Sequence, residues 1–251
     1  MPLSALDIFA LSYMIVIWLC YARYAKYRAK HTNKPSLSRS LKSHREAWVH
    51  SILRREMRMT DSNLLGNQER VVGFFASTTL LLLAAVISAL TSSELVRQLA
   101  AGFPYAVEQT DTIVQIKFFC LAVLLVLAFF NVTWSLRQYG FANVMMGSLP
   151  DHLEPLSDAD RNRIVKQFTK LLDSAGHDNN NALRGYYFGI AMVFWLFHPI
   201  LFIFGSTVVV GVLFTRECHS TVVHSITESI YQIDKTKQPL PTESTNKPLS
   251  D

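Results

Sequence analysis

GYYFGIAMVFWLFHPILFIFGSTVVVGVLFT, Gly185 to Thr215, runs for 31 residues without an Asp, Glu, Lys or Arg. A helix needs about 20 predominantly apolar residues to cross the hydrocarbon core of a bilayer. The stretch therefore reads as one long span over about 186–214, with Pro199 bending it. Three further runs have the same character. Met1 to Ala22 contains only Asp7, while Val71 to Leu90 and Phe118 to Leu136 contain no charged residue. The expected spans are about 4–22, 71–90, 115–136 and 186–214. The chain has 251 residues, is 50% hydrophobic and 17% charged, and carries a formal net charge of +5. A soluble domain of this length would scatter those charges. Here they are segregated, and the fold class that follows is all-α: an integral membrane bundle of four transmembrane helices with amphipathic cytoplasmic helices.

The basic residues set an orientation. Of 24 lysines and arginines, 12 lie in Arg23–Arg70, 2 in Thr91–Lys117, 6 in Arg137–Arg184 and 4 in Arg216–Asp251. Short loops rich in Lys and Arg stay cytoplasmic. With four spans, the first and third connections are inside and both termini outside. The first run lacks a preceding basic region and a small-residue cleavage site, so it reads as an uncleaved span.

The polar connections have structure of their own. SLKSHREAWVHSILRREMRM gathers Leu41, Trp48, Ile52 and Leu53 on one helical face and reads as a cationic helix, on the cytoplasmic membrane surface or packed on the other connection. Thr60, Asp61 and Ser62 offer capping side chains to the second span. A short outer helix over about 93–101 is expected, stopped by Gly102 and Pro104. Ser157 with Asp160 forms a capping-box-like start, and Ile164, Val165, Phe168, Leu171 and Leu172 mark the face of an amphipathic helix that Gly176 would stop. The run GHDNNNALRG then reads as a polar lead into the fourth span. Residues 1–224 make the membrane domain, and 225–251 a polar, disordered tail.

Candidate site residues are few. His198 lies 14 residues beyond Arg184, about 21 Å along a helix, which puts an imidazole near mid-bilayer. Asn131, Ser135 and Gln138 recur at helical spacing. Asn131 sits about 9 Å inside Arg137 and needs a partner, across a helix interface or in an inner-leaflet polar pocket. Arg70, Arg137 and Arg184 would form a basic collar at the cytoplasmic boundary, each meeting lipid headgroups or together clasping one anion. Small residues form two stripes, Gly185 with Gly189, and Gly73, Ser77, Ala84 and Ser88; one would serve the bundle and leave the other for a second subunit. No nucleophile–base pair, metal-ligand spacing or phosphate loop is present, so no catalytic residue, metal or cofactor is expected. A haem on paired histidines would need His198 from two subunits. Three scattered cysteines make no disulfide framework.

Three stretches carry a family resemblance: TDSNLLGNQERVVGFFASTTLLL, KFFCLAVLLVLAFFNVTWSLRQYGFANVMMGSLP and RGYYFGIAMVFWLFHPILFIF. Over about residues 5–220 the chain resembles the multi-pass membrane family catalogued as domain of unknown function 599. The resemblance implies a bacterial inner (plasma) membrane setting for a bacterial source, and it brings no catalytic residues. Two functions stay open on the residues themselves. One is a non-enzymatic membrane module that binds anionic lipid headgroups or partner subunits, a second copy included. The other is a small oligomeric transporter or channel whose path passes His198 and Asn131. Nothing points to nucleic acid.

Overall fold

The computed structural model describes residues 4–31, 37–92, 94, 98, 102, 109–218, 221 and 223–229. The described residues are all-helical, in six long helices. They are α1 (Ala5–His31), α2 (Leu37–Ile52), α3 (Met59–Thr91), α4 (Asp111–Gly147), α5 (Asp158–Trp195) and α6 (Pro199–Cys218). Four of them contain segments long and apolar enough to cross a bilayer: Ala5–Tyr24, Met59–Thr91, Asp111–Gly147 and Pro199–Glu217. Their outward faces are apolar, with Phe74, Leu81, Phe119, Phe130 and Phe204 all exposed, as suits helices solvated by lipid. Of the outer helix expected near 93–101, Glu94 and Gln98 are described and helical, with Gln98 donating to Glu94 at 2.7 Å; its other residues and the tail from 230 onward lie outside the described residues.

The run Gly185–Thr215 is not one helix. α5 ends at Trp195, and the chain turns over Leu196–Phe197 and restarts at Pro199. A straight continuation would carry Arg216 about 43 Å from Tyr187. Instead the Arg216 guanidinium donates to the Tyr187 hydroxyl at 2.7 Å, and the rings of Trp195 and Phe202 stack at 5.1 Å. The apolar run is a helical hairpin. Proline cannot donate the backbone bond that an interior position needs, and it is suited to the first position of a helix. His198 caps that start: the amide N–H of Ile200 donates to its Nδ1 at 3.0 Å. Gly205 faces Ala191 across the hairpin, where a Cβ would meet the Ala191 Cα at 3.7 Å, an ordinary packing distance.

This hairpin corrects the expected path. A single span over 186–214 would leave both termini on one side. The described chain instead runs back to the end that carries α2. Ser38 Oγ donates to Glu217 at 2.8 Å, the hydroxyls of Ser40 and Thr227 meet at 2.8 Å, and His44 Nε2 is 2.9 Å from the Ile226 carbonyl. Residues 225–229, assigned in advance to a disordered tail, are helical. The hydrogen-bonding side chains of α2 hold them.

α5 is the second departure. It passes through Gly176 and the Asn179–Asn181 run without a break. Poor helix formers were overruled by packing: Ala175, Gly176 and Ala182 are buried in the seam. A Cβ on Gly176 would lie 2.5 Å from Arg45 Nη2, so this position admits the guanidinium that bonds Asp173 at 2.7 Å. Ser157 caps α5 by accepting from the Asp160 amide at 3.1 Å, as expected. Asp61, read as a cap for α3, instead accepts from Trp48 Nε1 at 2.7 Å and Arg55 at 2.5 Å. The cationic helix around Trp48 is α2, which stops at Ile52. Arg58 lies beyond it and donates to the carbonyls of Leu149 and Pro150 at 3.0 and 2.5 Å.

Two apolar cores follow from this path. One joins α2, α3, α4 and the first half of α5 around Val49, Leu65, Val132 and Phe168. The other joins α1, α4, the second half of α5 and α6 around Met14, Leu121, Phe188, Trp195 and Phe202.

Candidate functional site: a polar vestibule at the α2 end

The stripe Asn131, Ser135, Gln138 divides. Ser135 Oγ donates to the Ala175 carbonyl at 2.8 Å, and Gln138 Nε2 to Asp178 Oδ2 at 2.5 Å. Both are buried and tie α4 to α5. Asn131 donates to the Leu127 carbonyl of its own helix at 2.8 Å. With Phe130, Trp134 and Arg137 it lines a shallow depression of about 480 Å³ on the outer face of α4. His198 is at the turn between α5 and α6 rather than inside a continuous helix, and it lines neither this depression nor the larger cavity.

The basic collar does not assemble. Arg70 is exposed on α3. Arg137 lies 5.8 Å from the Phe141 ring centroid on the exposed side of α4. Arg184 stands deeper and faces inward. A Cβ on its neighbour Gly185 would meet the Ala128 Cβ at 3.0 Å, and Ala128 precedes Arg137 by nine residues. Arg184 is thus about 13 Å further into the bundle than Arg137. It lies 5.2 Å from the Tyr21 ring centroid and donates to Asn181 at 3.4 Å. Among the described residues it has no ion pair.

Arg184 belongs to a different arrangement. Lys170, Ser174, His177, Asn181 and Arg184 recur at i, i+4, i+7, i+11 and i+14 on α5, a polar track about 21 Å long. This track walls a cavity of about 760 Å³. Leu19, Ala22 and Arg23 of α1 face it, as do Ser38, Leu41 and Arg45 of α2, and Glu217 closes one side. Four cations against two carboxylates line it. Asp173 is engaged by Arg45, whereas Arg23 and Lys170 have no ion pair among the described residues. Leu19, half exposed on α1 beside the likewise exposed Ile15 and Val16, brings the apolar face of α1 to the edge of the vestibule. The cavity's depth comes from the uninterrupted α5. Reading Gly176 as a helix stop and the Asn run as a polar lead hid the track, although its heptad spacing was there to find.

Two charged residues at the opposite end were also missed as a pair. Asp7 and Lys117 are both buried, with Lys117 Nζ 3.2 Å from Asp7 Oδ1. Trp195 Nε1 donates to that same carboxylate oxygen at 2.8 Å, and Lys117 donates to the Trp195 carbonyl at 2.8 Å. The signal was a lone acid in one apolar run and a lysine at the edge of another. Between this cluster and the vestibule the bundle is filled. Trp18 stacks on the buried Phe188 at 5.1 Å, and Met14, Leu121 and Phe202 surround them. No group of three or more His, Cys, Asp or Glu that could hold a metal ion occurs among the described residues.

An all-α bundle with four bilayer-length apolar helices and lipid-type outer faces is a membrane protein. The family model of proteins of unknown function designated DUF599 matches residues 9–222, and the chain belongs to that family. No curated protein and no solved structure matches it.

Proposed function

We propose that the protein is a non-enzymatic, multi-pass module of the plasma membrane that holds an anionic lipid headgroup in the vestibule. Arg184 carries this reading. A cation at the depth of a hydrocarbon core faces a cavity, a partner or both; Arg184 has a ring and an amide beside it and, among the described residues, no carboxylate paired with it. The missing countercharge is the ligand's. The excess of cations along the rest of the wall supports the same sign, and exposed Leu19 supports entry from the leaflet.

The hairpin supports five passes rather than four, the added one running from about Gly176 to Trp195, because the 11 apolar residues of Gly185–Trp195 alone cover only about 16 Å. The α2 end is then cytoplasmic. It holds Arg23, Arg45, Arg58, Lys170 and Arg216, while the opposite end has Lys117 sealed in an ion pair. A transport path past His198 and Asn131 has less support, because one lies at the far turn and the other on the outer face of α4.

The test is retention of anionic lipid by purified protein, read by native mass spectrometry. Arg184→Gln is expected to lower retention about tenfold, the scale of one charge-assisted hydrogen bond, and Arg137→Gln to leave it nearly unchanged. Equal retention by the Arg184 variant would sink the proposal.

A further inference from the structure

Glu217 is the odd member of a cavity that otherwise favours anions. Its Oε1 accepts from Ser38 Oγ at 2.8 Å and from the Ser38 amide at 3.4 Å. Its second carboxylate oxygen has no partner among the described residues. The hairpin register, with Trp195 against Phe202 and Gly205 against Ala191, sets Glu217 opposite Asn180, about one turn beyond Arg184. Both line the same cavity without forming an ion pair. One end of a ligand held here meets a donor-only guanidinium, and another part meets an acceptor-only carboxylate. Asn180, Asn181 and Ser174, which both donate and accept, lie along the same wall.

A bare phosphate fits half of this arrangement. Its oxygens suit Arg184, but they would be repelled by Glu217. A zwitterionic phosphate–ammonium headgroup could satisfy both residues, yet it leaves the surplus of cations uncompensated. An anionic phosphodiester bearing free hydroxyls satisfies all three conditions: its charge meets Arg184, its hydroxyls donate to Glu217, and its net charge offsets the wall. We infer that the vestibule selects a hydroxylated phosphodiester headgroup of the phosphoglycerol type and that Glu217 is the specificity-determining residue. This rests on the lipid-binding reading above and adds to it the chemistry of the headgroup.

The full-length protein in detergent is titrated with phosphatidylglycerol, phosphatidic acid and phosphatidylethanolamine of identical chains, with binding read by native mass spectrometry. Phosphatidylglycerol is expected to bind about tenfold more tightly than either competitor, the scale of a hydrogen bond to a charged group. Glu217→Gln keeps the bond to Ser38 but loses the charge. It is expected to bring phosphatidic acid within about twofold of phosphatidylglycerol while anionic lipid still binds. Equal affinities in the unaltered protein, or a preference untouched by Glu217→Gln, would overturn the inference and leave anionic-lipid binding standing. Binding of none of the three would overturn both. Glycerophosphoglycerol, the same headgroup without chains, is expected to displace the lipid only at about a hundredfold excess. Displacement at equal concentration would mean a site for soluble organophosphates, and the lipid assignment would fail.

Discussion

Lys117 grips the carbonyl of Trp195 from 2.8 Å, and its ammonium stands 5.3 Å from the centroid of that residue's ring. Trp195 is the last residue of α5, so its carbonyl has no partner within the helix. The lysine fills that vacancy, and Asp7 neutralises the lysine while accepting the indole N–H. Three helices thus meet at one charged knot beside the hairpin turn, and Gln109 adds a fourth contact by donating to the Leu196 carbonyl at 2.6 Å.

Removing one member of this knot strands a buried charge. Lys117→Met is expected to cost about 3 kcal/mol or more, the usual scale for breaking a buried pair from one side. The double variant Asp7→Asn with Lys117→Met leaves no orphan charge and is expected to recover a substantial part of the loss. Thermal unfolding in detergent measures both. Equal stability of the single variant and the parent protein would show that the pair does not hold the turn.

The hairpin has a topological consequence. A reporter inserted near Lys34 and one fused after Ser229 are expected on the same side of the membrane, with one inserted near Gly102 on the other. If the reporters at 34 and 229 report opposite sides, Gly185–Thr215 crosses once and the hairpin is wrong.

Helix content was legible in the apolar runs because burial in lipid demands it, and the capping role of Ser157 was legible from spacing alone. The turn at 196–198 was not. Uncharged residues on both sides of His198–Pro199 look alike whether the helix bends or reverses, and only the stacking of Trp195 on Phe202 and the bond from Arg216 back to Tyr187 decide. Length was the available hint, since 31 residues exceed one crossing. The vestibule was hidden for a related reason: Gly176 and three asparagines read as a break, yet burial of Ala175 and Ala182 holds them in α5. His198, Asn131 and the arginine collar were chosen as polar residues at membrane depth, but depth does not reveal which way a side chain faces.

The two small-residue stripes separate cleanly. Gly185 packs on Ala128 and Gly189 on Leu121, whereas a Cβ on Gly73 meets nothing within 4 Å. Gly185→Leu is therefore expected to destabilise the monomer by about 2 kcal/mol or more through overpacking. Gly73→Leu is expected to leave its stability unchanged or slightly raised by better helix propensity. Matching losses at both positions would mean that the Gly73 face is covered by another copy.

His198 completes the set, because its placement changes what its substitution should do. An imidazole that relayed protons at mid-bilayer could not be replaced by an amide, which does not titrate near neutrality. An imidazole that accepts from the Ile200 amide at the start of α6 can be replaced by any good capping side chain. Asn is such a residue and Ala is not. His198→Asn is therefore expected to match the parent protein in thermal stability, and His198→Ala to lose about 1 kcal/mol, a typical capping loss. Pro199→Ala is the companion change. It restores an N–H at a first-turn position that needs none, so its effect is expected to be smaller than that of His198→Ala. Anionic lipid retention should be unaltered in all three, since the turn lies at the other end of the bundle from Arg184. A His198→Asn protein that unfolds as easily as His198→Ala would remove the capping role, and one that loses lipid would tie the turn to the vestibule.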